Sequence, residues 1–227
     1  MEEQIKSRNQ LIRAEKIASD LFNLVLERDY IRPGLSEKEL NQKIYHLAHM
    51  EFGIQKYWHK RIVRAGSNTL QPYKENPENL ILQEDDIIFM DMGPIVEDWE
   101  ADFGRTYVLG KDHYKLKLAA DVAAAWYEAN NLFKKRSGMT GSELYQYCQN
   151  LATSYGWELG GQIAGHLVGK FPHEKLDQEI KTNYIHPDNH LPLSNKGLNG
   201  NHRNWIIEIH FIDRTRKIGG FFEQLAG

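Results

Sequence analysis

A single cysteine, Cys148, stands in 227 residues. That excludes an internal disulfide framework and suits a reducing compartment. No apolar run approaches the roughly 20 residues needed to cross a bilayer, and Met1-Glu2-Glu3-Gln4 lacks the cationic start of a secretory leader. A cytoplasmic protein without membrane contact is expected. A basic excess is missing as well: the net charge is −3 with signs interspersed, which leaves no electrostatic footprint for nucleic acid. Low-complexity tracts and short repeats are absent. Hydrophobic residues make up 41% of the chain, enough for a sizeable core in one domain or in two fused halves.

What is present is arranged around residues 86–110. Ile87-Ile88-Phe89-Met90 reads as a buried strand and Thr106-Tyr107-Val108-Leu109 as a second one. Gly93-Pro94 and Glu97-Asp98 between them are turn chemistry. Pairing the runs about that tip predicts Asp91 opposite Asp102, on one face with Cβ atoms ~5 Å apart. Two carboxylates so close among isoleucine and phenylalanine repel unless a positive group lies between them, and a divalent cation is the candidate. Alone, the pair reads first as an exposed turn aspartate beside a capping or ion-paired one, and only further ligands elsewhere in the chain change that.

In chain order, residues 3–28 read as an amphipathic helix carrying Ala14, Ile17, Ala18, Leu21, Phe22 and Val25 on one face. Ser36-x-x-Glu39 is a capping box for a second helix that stops at Gly53. Residues 60–65 read as a strand and 66–79 as a loop. A helix is expected over 113–135, and Thr140-x-x-Glu143 caps another that closes at Gly156, with Cys148 on its apolar stripe. A Gly-rich segment follows, then β-rich runs at 205–211 and 219–225. Two helices and a hairpin thus occur twice, in pseudo-repeats of about 1–110 and 111–227.

The second hairpin turns at Asp213-Arg214-Thr215-Arg216-Lys217, and pairing about that turn sets Glu208 opposite Glu223. Each half therefore delivers one opposed carboxylate pair. Between the hairpins lies His166, flanked by Gly165 and, three residues on, Gly169. A lone histidine is ordinarily a satisfied core residue; beside four converging carboxylates it reads as a ligand. One imidazole and four carboxylates suit two divalent metal ions of the manganese, iron, cobalt or zinc type.

Asp-x10-Asp, then Gly-His, then two glutamates resembles the methionine aminopeptidase, aminopeptidase P, prolidase and creatinase family, and the likeness covers essentially the whole chain. It implies the α+β pita-bread fold, with two pseudo-symmetric helix-helix-hairpin halves around a curved antiparallel sheet, in a single catalytic domain over 1–227. It implies that Asp91 chelates a first metal, that Asp102 and Glu223 bridge, and that His166 and Glu208 bind the second. Glu208 is then also the proton acceptor for the attacking water. His173, seven residues after His166 in Phe171-Pro172-His173-Glu174, stands where the family has a substrate-facing histidine; otherwise it is a loop histidine held by Glu174.

The sequence also departs from that pattern. Pro72, in Gln71-Pro72-Tyr73, occupies the place of a loop histidine that positions substrate. His59, after Tyr57-Trp58, is expected first to pack with its aromatic neighbours or face solvent, with filling that place the alternative. Leu167 and Ile209 stand where the family has glycine and proline, and Phe221 where proline-specific members carry arginine. His210 shares a strand face with Glu208 and is expected either to line a pocket or to sit at a sheet edge with a water partner. Tyr57, Trp58, Trp99, Trp126, Trp157 and Trp205 are left unassigned between pocket wall and core.

Three functions are consistent with these residues. The first is a dinuclear metal-dependent hydrolase acting on a short peptide or small amide as the catalytic domain alone. The second is a family member with non-peptide chemistry, a creatinase-like C–N hydrolase or a lyase, which the changes at Pro72 and Phe221 favour over a proline peptidase. The third, ranked last because all five ligands are present, is a non-catalytic binding module. The partner is a small substrate, with no nucleic acid and no membrane; a homodimer is among the expected assemblies.

Overall fold

The computed structural model describes residues 2–71, 73–172, 180–197, 200 and 202–227. Helix α1 spans Glu2–Glu27 and α2 spans Glu37–Phe52. The capping box at Ser36 is made in both directions, and Gly53 ends α2 in the left-handed conformation at φ 65°, which a residue without Cβ adopts at little cost. Helix α3 runs His113–Lys135 from an Asp112 cap, and α4 runs Gly141–Tyr155 between the Thr140 capping box and Gly156.

The strands are β1 (Ile62–Ala65), β2 (Ile87–Met92), β3 (Ile95–Val96), β4 (Trp99–Glu100), β5 (Phe103–Val108), β6 (Glu158–Leu159), β7 (Gly165–Val168), β8 (Asn204–Asp213) and β9 (Ile218–Leu225). The main sheet is antiparallel in the order β1-β2-β5-β9-β8-β6, with β7 also pairing β8. The architecture is therefore α+β, and β5 and β9 join two hairpins at the pairing of Gly104 with Glu223.

Alternation along each strand decides what the sheet faces. Val63, Ala65, Ile88, Met90 and Met92 pack with Ala18, Leu21 and Phe22 of α1 and Leu40, Ile44 and Leu47 of α2. Ile207, Ile209, Phe211 and Phe222 pack with Leu118, Val122 and Trp126 of α3 and Leu144 and Cys148 of α4. The alternate residues, Phe89, Asp91, Glu208, His210, Phe221 and Glu223, line a cavity on the opposite face.

One expectation is corrected. Asp91 pairs with Gly104, not with Asp102. The tip turns on Glu97 and Asp98, both at positive φ (48° and 67°), the conformation of a two-residue hairpin whose twist matches the strands. That centre lies one residue later than the pairing assumed from the sequence, so every register position shifts by two. A shift of two keeps side chains on the same face, and Asp102, just ahead of β5, stays on the cavity side. Strand β7, which carries His166, lies inside the segment read from sequence only as Gly-rich.

Candidate metal centre

Neighbouring strands and their ends each send one acidic or imidazole side chain to the same place: Asp91 from β2, Asp102 from just ahead of β5, Glu223 from β9, Glu208 from β8 and His166 from β7. Glu208 and Glu223 are directly opposed in the β8–β9 ladder, as expected. Asp91, Asp102, His166 and Glu223 are buried, and Glu208 is partly exposed at the cavity.

Asp102 lies at the centre. His166 Nε2 is 3.1 Å from its Oδ2, and His59 Nε2 is 3.1 Å from its Oδ1. His166 Nε2 also stands 3.6 Å from Glu223 Oε1, and His59 Nε2 3.6 Å from Asp91 Oδ1. Two groups of potential ligands result, His59–Asp91–Asp102 and Asp102–His166–Glu223, each with donor atoms within 4.8 Å of one another and sharing Asp102.

The electrostatics follow from that crowding. Burial lifts the Asp91 carboxyl to about 7, with Asp102 and Glu208 adding to the rise against the pull of His59. Burial also pushes Glu223 well above the usual carboxylate range, reinforced by Asp102, Asp91 and Glu208. Glu208 is raised by burial too, although His166 opposes the shift. For Asp102 burial is overcome by His59 and by hydrogen bonds from both histidines, so its carboxyl is held below its ordinary value. Burial disfavours charge on His59, but Asp102 and Asp91 outweigh it and carry the imidazole up to about 9. Four carboxylates in one buried place cannot all ionise against two imidazoles without further positive charge.

The donor set fits divalent cations. Asp91 Oδ1 and Glu223 Oε2 are buried without a hydrogen-bond partner among the described residues, and buried polar atoms are otherwise paired. Carboxylate oxygens and one-sided imidazole nitrogens are ligands for manganese, iron, cobalt and zinc. His166 donates its Nδ1 proton to the Leu167 carbonyl at 2.8 Å, the outer contact that fixes a ligating tautomer.

His59 meets its expectation only in part. It does pack edge-to-face on Trp58, with ring centroids 4.5 Å apart, and its side chain is only 8% exposed and faces the aspartates. No sequence spacing announces this. The cause is tertiary: the segment before it is tied to the loop after β2, through Trp58 N–H to the Gly93 carbonyl at 3.0 Å and Ile95 N–H to the Lys56 carbonyl at 2.9 Å.

His210 is buried and donates from Nε2 to the Thr69 carbonyl at 2.7 Å, so its partner is backbone rather than the water expected at a sheet edge. Phe221 packs on Phe89 at 5.3 Å between ring centroids and forms an apolar cavity wall with Ile62. Of the unassigned aromatics, Trp58 lines the cavity, whereas Trp126, Trp157 and Trp205 belong to the core. Pro72, His173 and Glu174 lie outside the described residues. The cavity has a volume of about 690 Å³, within the range of small-molecule sites. No helix among the described residues is long and apolar enough to cross a membrane.

Comparison with known proteins agrees with this geometry. An Xaa-Pro dipeptidase of Lactobacillus delbrueckii subsp. lactis is 24% identical over 171 residues, covering 74% of this chain and 46% of that protein. One from Pyrococcus horikoshii is 25% identical over 172 residues, 75% of this chain and 48% of the other. The chain thus spans about half the length of the curated relatives it matches. The fold is shared with prolidase from Thermococcus sibiricus (TM-score 0.75, 24% identity, 98% of this chain and 55% of that one). It is shared also with methionine aminopeptidase from Rickettsia prowazekii (TM-score 0.70, 16% identity, 99% and 93%). This is the pita-bread fold. The model of metallopeptidase family M24 matches residues 9–197, and with most of its length inside that match the chain belongs to metallopeptidase family M24.

Proposed function

We propose that residues 1–227 act as one cytoplasmic catalytic domain, a dinuclear-metal-dependent hydrolase that opens an amide bond in a short peptide or small molecule. Asp91, Asp102, His166, Glu208 and Glu223 are the proposed ligands. The observation that carries this reading is the convergence of four carboxylates and His166 from adjacent strands, with Asp91 Oδ1 and Glu223 Oε2 buried and unsatisfied among the described residues.

Two divalent cations bound by this set would lower the pKa of a water and polarise an amide carbonyl. Glu208, partly exposed to the cavity and lifted by burial, is the proposed acceptor of that water's proton, because a raised carboxylate is a better base near neutral pH. Ile62, Phe89 and Phe221 offer an apolar wall that would hold an uncharged substrate part and keep bulk water away. His173 is proposed to hydrogen-bond the substrate, on its spacing of seven from His166. The Xaa-Pro dipeptidase names of the relatives support a dipeptide substrate, while Phe221 in place of an arginine favours a second reading, a non-peptide amide.

The test is the full chain freed of metal, reloaded with manganese, cobalt, iron or zinc, and offered Xaa-Pro and other dipeptides beside small non-peptide amides. Metal-dependent release of an amino acid, lost in His166→Ala, is the expected result. Turnover confined to the non-peptide amides would establish the second reading. Uptake of two ions with no turnover of either class would leave a binding module.

A further inference from the structure

His59 and His166 are held alike. Each ring donates its Nδ1 proton to the carbonyl of the following residue at 2.8 Å, Lys60 for His59 and Leu167 for His166. Each turns Nε2 toward Asp102 at 3.1 Å, one to Oδ1 and the other to Oδ2. We infer that His59 Nε2 is a ligand of the cation bound by Asp91 and Asp102, so that both metal positions carry an imidazole. The inference rests on the dinuclear reading above and adds to it a residue from outside the strands, in the segment between α2 and β1.

A buried histidine paired with one carboxylate is the plainer alternative. Three observations count against it. First, Nε2 faces two carboxylates, and the nearer oxygen of Asp91, 3.6 Å away, has no hydrogen-bond partner among the described residues. Second, ligand atoms each about 2.1 Å from one ion stand about 3.0–3.4 Å apart at octahedral to tetrahedral angles; 3.1 Å falls inside that spacing and 3.6 Å just beyond it. Third, the position is built. A Cβ on Gly93 would fall 2.0 Å from His59 Cδ2 and 2.2 Å from Nε2, so the ring fits only against a glycine. Trp58 Nε1–H, bonded to the Ala101 carbonyl at 2.9 Å, fixes the segment from the other side. An imidazole at each position moves the pair toward borderline ions such as cobalt, iron and zinc and away from manganese, which is better served by oxygen alone.

The experiment titrates the metal-free full chain with cobalt(II), reading bound equivalents by calorimetry and ligand field by visible absorption. The wild type should take two ions. His59→Gly should bind one of them at least about tenfold more weakly, the loss that even an outer contact of a metal ligand produces, with a changed spectrum. Free imidazole should restore both affinity and spectrum. His59→Gln, which keeps the bulk without an imidazole nitrogen, should show the same loss while its circular dichroism and melting stay those of the metal-free wild type. Two ions bound by His59→Gln with unaltered affinity and spectrum would overturn the assignment of His59 and leave the dinuclear reading standing. Fewer than two ions in the wild type would overturn both.

Discussion

Glu208 and Glu223 stand directly opposite one another in the β8–β9 ladder, and Glu223 is 2% exposed. Burial and repulsion from Asp102, Asp91 and Glu208 lift the Glu223 carboxyl well above its usual range, and a carboxyl raised by folding costs the metal-free fold stability at neutral pH. Glu223→Gln should therefore melt at a higher temperature than the wild type in chelator, by up to about 1 kcal/mol. In the presence of metal the order should reverse. A ligand at 100 times its Kd stabilises by about 2.7 kcal/mol, and the variant should lose most of that gain. Paired calorimetric scans with chelator and with cobalt check both signs; a variant less stable in chelator would contradict the repulsion argument.

A pH dependence follows from His210. Burial brings its imidazole down to about 4, with Arg64 and Arg214 adding to the fall, although the bond to Thr69 opposes it. The folded chain therefore binds its proton later than the unfolded chain does. Below 6.5, the ordinary value, the unfolded state is protonated first. The contribution of neutral His210 is thus full above that pH and is lost as pH falls toward 4. The limit is about 3 kcal/mol, because each pH unit between the folded and unfolded values corresponds to about 1.36 kcal/mol. His210→Gln, whose amide can still donate to Thr69, should flatten this part of the stability curve. Denaturant unfolding of both chains between pH 4 and 7 is the measurement.

Much of this arrangement can be read in the sequence where the determinants are local. Helix α3 occupies the anticipated His113–Lys135, and both capping boxes form, because caps and apolar periodicity act within a few residues. The Glu208–Glu223 register is legible for a related reason: one short polar turn fixes it. The sequence pattern puts Asp91 and Asp102 two positions out because several turn residues crowd their tip, and only the positive φ of Glu97 and Asp98 settles its centre. Strand β7 has four residues, beginning at Gly165 and ending just before Gly169, too short for periodicity to speak. His59 reaches the aspartates through contacts across more than thirty positions, which no local pattern encodes.

The capping boxes make their own prediction. Ser36 Oγ accepts from Glu39 N–H at 3.2 Å, and Glu39 Oε2 accepts from Ser36 N–H at 2.8 Å; Thr140 and Glu143 do the same at 3.1 and 2.9 Å. Ser36→Ala and Thr140→Ala should each lower stability by about 1 kcal/mol. Hydrogen bonds from the Ser36 and Thr140 backbone hold the Glu39 and Glu143 carboxyls below their usual value. That support is present above 4.5 and fades as pH falls through the folded values. Thermal melts of Glu39→Ala and Glu143→Ala should converge on the wild type at the acidic end, whereas the deficit of Ser36→Ala and Thr140→Ala, which keep the backbone N–H bond to the glutamate, should largely persist there.

Cys148 supplies a clock for opening of the second core. It is fully buried on α4, in contact with the cluster under β8 and β9, and burial pushes its thiol up to about 12. A thiol so held is almost entirely protonated at about pH 8, and a disulfide reagent needs both the thiolate and access to it. In the folded chain the reagent should leave Cys148 untouched on the timescale of minutes; in denaturant it should react at once. Between these limits the reaction proceeds only through molecules that open, so its rate reports the open fraction when reclosing outpaces labelling. Metal held by Glu208 and Glu223, the ligands proposed on β8 and β9, would stabilise only the closed form, and at 100 times its Kd the open fraction would fall about a hundredfold. Labelling of Cys148 should slow by that factor in the wild type and hardly at all in Glu223→Gln. Equal slowing in both would show that the stabilising ion sits elsewhere on the protein.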